Sequence, residues 1–370
     1  MADPRLIPPR NILVIVTRRI GDVLLTTPLL HSLKTAWPAA QVDVLVFRGT
    51  EGILAGNLDI GRVIVVESGS GWREGLKLMR SLWRRYDVAL STSPSDRPTL
   101  YAWIAGRWRA GLVEDGAGSG WKRLLLSATA AFENHSLHTV NLNLRLAGLL
   151  KIPSLYRMPL AWSPADEAVL KQRLPGFPGR RYAVLHPYPK YAYKMWTRAA
   201  WVDLGNRLQK DGLQVVLTGG PDADECRYVE EIRREIGSAV SLSGQLSFPQ
   251  LALLLTHAAC YVGPDTATTH LAAASGVPTI ALFGPSNPMK WGPWPRDFEH
   301  PATPYSLRGS LQIVGNVALV QGQTHCVPCL EEGCERHIDS TSDCLQNLPV
   351  DRVVLALDEL RQSREAAHSP

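Results

Sequence analysis

Apolar residues arrive along this chain in short continuous runs, separated by segments of helical spacing. Asn11–Val16 (NILVIV) is apolar throughout after its first residue, as a strand covered on both faces requires. After Gly21 and Asp22 the spacing predicts a helix from Val23 to Ala36, ended by Trp37–Pro38. Val42–Phe47, Val63–Val66 and Asp87–Leu90 read as further strands. Between the last two lies Trp72–Arg85, a helical segment of mixed basic and apolar residues. Strands alternating with helices predict an α/β domain with an open parallel sheet and helices on both faces.

Around Leu150–Pro178 the texture changes to prolines with nearby glycines, which reads as a linker. A second alternation follows. Tyr182–His186, Gln214–Thr218, Cys260–Val262 and Thr279–Phe283 read as strands. Thr197–Lys210, Ala223–Ile236, Phe248–His257 and Thr268–Ser275 read as helices, and Pro349–Arg364 as an amphipathic tail helix. A length of 370 residues exceeds one typical core. The expected organisation is therefore an amino-terminal domain over 1–165, a linker over 166–178 and a second domain over 179–348. A helix over 349–370 is expected to pack back towards the first domain. In open α/β sheets ligands bind at the carboxyl ends of strands, so strand-to-helix turns are where chemistry is sought.

Composition narrows the partners. The net charge of +5 is a mild excess without a long basic run, so nucleic acid is not an expected partner. It suits an anionic small ligand or an anionic membrane surface. No apolar run is long enough to span a bilayer. Met1–Arg10 is polar and lacks the apolar core of a signal peptide, which points to the cytoplasm. Six cysteines are then expected as thiols or metal ligands.

The segment Gly263-Pro264-Asp265-Thr266-Ala267-Thr268-Thr269-His270 lies directly after a predicted strand and opens a predicted helix. Free backbone N–H groups and the helix dipole there favour phosphate oxygens. The same residues would also serve as an ordinary cap, with threonines filling the first turn. Gly276-Val277-Pro278 returns the chain to the next strand, and Gly284-Pro285-Ser286 makes a second turn on the same edge.

GPDTATTHLAAASGVPTIALFGPSNP resembles the donor-site segment of family 9 glycosyltransferases, the lipopolysaccharide heptosyltransferases. ILVIVTRRIGDVLLTTPLLHSLKTAWPAAQVDVLV, HPYPKYAYKMWTRAAWVDL and VVLTGGPDADE resemble that family's other motifs, in the expected order. The resemblance implies a GT-B fold, two Rossmann-like domains facing a central cleft. It implies inverting transfer that needs no metal, usually from ADP-L-glycero-β-D-manno-heptose to the lipopolysaccharide core or lipid A acceptor. Asp22 matches the family's base and Lys194 the lysine that stabilises the leaving diphosphate. Asp265, Thr266, Ala267, Thr268 and His270 match the donor cradle. Tyr188 falls in a loop that contacts phosphate in relatives, Glu225 is the candidate for the ribose hydroxyls, and Leu246 for the adenine face. Arg18 and Arg19 are candidates for anionic groups of the acceptor. Val16 stands where many relatives carry a lysine, a departure that bears on the acceptor.

Cys326, Cys329, Cys334 and Cys344 lie close in sequence. A CxxC pair with two further thiolates can hold structural zinc or iron, and some relatives carry a comparable four-cysteine finger. The same spacing also suits reduced thiols in a loop. Segments rich in Arg and Trp, among them Trp83, Arg84, Arg85, Trp103, Arg107, Trp108, Arg109 and Trp121, suit peripheral contact with the inner membrane. Two other readings stay open: the same donor with a protein hydroxyl or another glycan as acceptor, and a non-catalytic nucleotide-sugar-binding protein. A nicotinamide enzyme is disfavoured because no GxGxxG follows the first strand.

Overall fold

A computed structural model of the chain describes residues 3–67, 69 and 72–368. It divides into two compact units, 1–159 with 299–303, and 160–298 with 304–370.

The first unit contains β1 (Asn11–Val16), α1 (Ile20–Leu24), α2 (Thr27–Ala36), β2 (Gln41–Phe47), β3 (Arg62–Val66), α3 (Trp72–Leu82), β4 (Tyr86–Ser91), α4 (Asp96–Ala105), β5 (Gly106–Val113), α5 (Gly120–Leu125), β6 (Ala128–Ala131) and α6 (Thr139–Leu150). Its sheet runs β3-β2-β1-β4-β5-β6, with every pair parallel. This is the Rossmann order. The core forms where Leu13, Ile15 and Leu45 of the strands meet Tyr101, Ala102 and Ala105 of α4.

The helix expected over Val23–Ala36 is in fact two, α1 and α2. Pro28 enforces the break, because its ring has no N–H and would meet the carbonyl of Leu24 in a continuous helix. The Thr27 hydroxyl donates to that carbonyl instead, at 2.8 Å. Asn143 of α6 braces the break, donating to the Leu25 carbonyl and the Thr26 hydroxyl, each at 3.1 Å. Two strands, β5 and β6, carry no simple apolar run. In β5, Arg107 and Arg109 alternate with buried Trp108 and Ala110, which hides a strand paired on both edges.

The second unit contains α7 (Pro164–Arg173), β7 (Tyr182–Leu185), α8 (Arg198–Lys210), β8 (Gln214–Leu217), α9 (Ala223–Glu235), β9 (Val240–Ser241), α10 (Phe248–His257), β10 (Cys260–Pro264), α11 (Ala267–Ser275), β11 (Thr279–Phe283), α12 (Pro288–Trp291), β12 (Leu311–Val314), β13 (Val317–Gln321), α13 (Asp343–Gln346) and α14 (Val350–His368). Its sheet order is β12-β13-β11-β10-β7-β8-β9. Without β12 this repeats the order of the first sheet. Only β12, joined to β13 through Gly315-Asn316, is antiparallel.

Three boundaries differ from those expected. Residues 164–173 form α7, which packs on α10 of the second unit and is not a linker. The segment 299–303 belongs to the first unit, where Ala302 accepts from Asn141 and Thr303 donates to Ser136. The tail helix α14 packs on β13, α8 and β11 of the second unit, whereas the sequence reading sent it back to the first domain.

At the amino ends of β2, β3 and β4 the buried Asp43 accepts from the Tyr86 hydroxyl at 2.8 Å, from Arg62 at 3.1 Å and from Gln41 at 3.0 Å. Removing one donor from a buried carboxylate leaves it underpaired. Tyr86→Phe is therefore expected to cost about 1–3 kcal/mol of stability, measured as a lower denaturant midpoint with an unchanged slope.

Candidate active site

Both sheets reverse their order of growth at the first strand. In the second unit β7 is flanked by β8 on one side and β10 on the other. Loops leaving the carboxyl ends of β7 and β10 therefore part in opposite directions and open a crevice. The loop after β7 carries Lys194, and the loop after β10 carries Asp265 and Thr266. The fold brings these residues together: Lys194 Nζ lies 2.5 Å from Asp265 Oδ2.

Both partners are largely enclosed, with side chains 17% and 9% exposed. Burial acts to raise the Asp265 carboxyl. The Lys194 ammonium, with His270 and hydrogen bonds from Lys194 and Ser286, outweighs it and holds the carboxyl below its ordinary value. Ser286 lies in the turn that follows β11. That turn was legible in sequence, but its hydroxyl contact to Asp265 was not.

Thr266 is the N-cap of α11, its hydroxyl accepting from the Thr269 N–H at 3.3 Å. Ala267 and Thr268 open the helix, so their N–H groups lack intrahelical partners. His270 is buried, and burial above all pushes its imidazole down to about 4, so the ring is neutral near pH 7. Its Nδ1 is buried with no hydrogen-bond partner among the described residues. At the other end of α11, Asn316 donates to the carbonyls of Ala273 and Val277, at 3.0 and 2.9 Å.

Beyond β8, Asp222 caps α9, accepting from the N–H groups of Asp224 and Glu225. Glu225 accepts from the Gly220 N–H at 2.6 Å and so supports the Gly219-Gly220 turn. Burial raises its carboxyl. Tyr188 stands edge-on to Tyr228, ring centroids 5.4 Å apart. Burial, then Asp224, Asp222 and Glu225, raise its phenol. Tyr188 thus sits beside the acidic turn, where a phosphate would meet repulsion and a sugar or base would not. Leu246 is partly exposed and directly precedes Ser247, the N-cap of α10.

In the first unit Asp22 lies within α1 as its third residue, not in a turn before the helix. It accepts from the Arg19 N–H at 3.3 Å, and Arg18 Nε lies 3.2 Å from its carboxylate. Its side chain is 12% exposed, against 39% for Arg18. The structure thus brings Arg18, Arg19 and Asp22 together at the carboxyl end of β1.

The spacing of Cys326, Cys329, Cys334 and Cys344 leaves a metal site and reduced thiols both open. All are free thiols. Among the described residues no group of three or more His, Cys, Asp or Glu side chains is placed to hold a metal ion. Cys326 and Cys334 are exposed while Cys344 is buried. Burial, then the other three cysteines, push its thiol up to about 12.

A family model described as glycosyltransferase family 9 (heptosyltransferase) matches residues 75–304. Lipopolysaccharide heptosyltransferase 3 of Escherichia coli strain K12 is 31% identical over 287 residues, covering 74% of this chain and 82% of that protein. Lipopolysaccharide heptosyltransferase 1 of Pseudomonas aeruginosa is 28% identical over 342 residues, covering 88% and 87%. The solved structure of E. coli ADP-heptose lps heptosyltransferase II superposes with a TM-score of 0.72 at 21% identity, covering 96% of this chain and 99% of that one. Two Rossmann-ordered sheets and this match establish the GT-B fold. With a family model over more than half its length, the chain belongs to glycosyltransferase family 9 and is a glycosyltransferase.

Proposed function

We propose that this enzyme transfers heptose from ADP-L-glycero-β-D-manno-heptose to the inner core of lipopolysaccharide, with inversion at the anomeric carbon. The observation that carries the reading is the cradle of Lys194, Thr266 and the first N–H groups of α11, with an unpartnered His270 nitrogen behind it. It sets a largely enclosed lysine beside a helix N-terminus, as a leaving diphosphate requires. Glu225 and Tyr188 take the nucleoside, Leu246 lines the adenine, and Asp265 orients the sugar hydroxyls.

In the proposed step the acceptor hydroxyl oxygen bonds to the anomeric carbon as the bond from that carbon to the β-phosphate oxygen breaks. The hydroxyl proton passes to Asp22, and ADP leaves with its new negative charge on the cradle. Arg18 and Arg19 meet anionic groups on the acceptor. No metal enters the step.

Asp22→Asn separates the base from the cap, because the amide oxygen still accepts from the Arg19 N–H. The variant is expected to keep its melting temperature and ADP affinity while kcat falls by about 100-fold or more. Unchanged turnover on a heptose-free core, read as ADP release and acceptor mass, removes Asp22 from the mechanism. Turnover on a peptide hydroxyl but no core acceptor moves the reading to a protein acceptor. ADP-heptose binding without turnover on any acceptor moves it to a binding protein. Extensive treatment with EDTA is expected to leave the initial rate unchanged.

The site of work we propose is the anionic inner face of the membrane. Residues 72–125 hold ten Lys and Arg against five Asp and Glu, which equals the excess of the whole chain. On this stretch Trp83 is 59% exposed, Trp121 38% and Leu124 87%, and α4 packs against both α3 and α5. Among the described residues no helix is long and apolar enough to cross a membrane. Basic side chains with exposed Trp and Leu suit the interface of an anionic bilayer. The protein is expected to sediment with phosphatidylglycerol vesicles and not with phosphatidylcholine vesicles. Trp83→Ala with Leu124→Ser should release most of it while leaving transfer to a soluble core acceptor unchanged.

A further inference from the structure

Tyr261 lies within β10 and is completely buried. By sequence it is one more apolar strand residue. Its phenol, however, brings a polar atom beneath the donor turn, and that atom needs a partner. The hydroxyl lies 2.8 Å from Thr269 Oγ1. Thr269, also fully buried, donates its single hydroxyl proton to the carbonyl of Pro264. A carbonyl only accepts, so the Tyr261 phenol must be the donor to Thr269. On the ligand side, Thr266 Oγ1 lies 3.2 Å from Thr269 Oγ1 and already accepts from the Thr269 N–H. The packing is tight: a Cβ on Gly263 would stand 2.1 Å from the Tyr261 hydroxyl.

We propose that Tyr261 is a positioning residue for the diphosphate: by donating to Thr269 it leaves the Thr266 hydroxyl proton available for a phosphate oxygen. Three hydroxyls in this chain carry three protons. The carbonyl of Pro264 takes the proton of Thr269, and Thr269 takes the proton of Tyr261. The proton of Thr266 is then the one left to face the ligand. Without the phenol, the buried oxygen of Thr269 has Thr266 as its nearest hydroxyl donor. An unfilled buried acceptor is costly, so Thr266 turns its proton inward and presents only lone pairs to an anion.

This inference rests on the nucleotide-sugar reading above, and its test distinguishes the two. ADP and adenosine are titrated calorimetrically into wild type, Tyr261→Phe, Thr266→Val and the double variant. Tyr261→Phe, which keeps the ring and is checked by its melting temperature, is expected to weaken ADP about 5- to 15-fold and leave adenosine unchanged. Its KM for the donor should rise while kcat at saturation holds. The double variant should bind ADP no more weakly than Thr266→Val alone. Additive losses from the two substitutions, or equal weakening of adenosine, overturn the role assigned to Tyr261. A wild type that binds no ADP overturns the donor reading itself and this inference with it.

Discussion

A parallel sheet that grows outward from its first strand in both directions must part its loops at that strand. In the second unit this geometry fixes everything that follows. The chain after β7 turns one way and the chain after β10 the other, so Lys194 and Asp265, 71 residues apart, meet across the gap. The helix behind the gap cannot drift. Gly276 ends it in a left-handed conformation, and Asn316 in the β12–β13 turn donates to the carbonyls of Ala273 in its last turn and of Val277 just beyond it. The first unit repeats the order, and there the carboxyl end of β1 delivers Arg18, Arg19 and Asp22.

Within that frame the charges explain one another. A buried ion pair adds little net stability, because desolvating both ions offsets their attraction. The Lys194–Asp265 pair is therefore poorly explained as a brace. Asp265 holds the Lys194 ammonium aimed in an enclosed place, and that ammonium, with the Ser286 hydroxyl, keeps the carboxylate ionised against its burial. The neutral ring of His270 adds no further charge to the cradle. A desolvated cation beside free helix N–H groups acts on an anion far more strongly than one in water.

Much of this was legible in sequence where one residue type has one physical use. Continuous apolar runs gave β1, β2, β8 and β11, because a strand covered on both faces tolerates little else. The GPDTATTH segment gave the turn, the cap and the helix start of α11. Legibility failed where a side chain serves two environments. In β5 the long stems of Arg107 and Arg109 occupy alternate strand positions, so the pattern read as a basic surface. Pro28 was read as part of a helix it actually divides. Tyr261 counted as apolar, since nothing in local spacing shows where a phenol points. The cysteine spacing left a metal site and reduced thiols both open, because spacing does not say which thiols turn outward and which is buried.

Asp22 shows why a cap and a base are hard to tell apart from sequence. Both roles need an oriented carboxylate at the start of a helix, and both choose aspartate after a strand. The structure satisfies the cap: the Arg19 N–H and the Arg18 guanidinium hold the carboxylate in place. Those same contacts are what a base needs, because a general base must be positioned before its acid strength matters. They leave the carboxylate partly exposed, whereas the buried Asp43 is fully engaged by three donors. The exposed arginine on its flank adds an i,i+4 ion pair that steadies the start of the helix. On the reading proposed above, the same arginine would also draw an anionic acceptor towards the carboxylate.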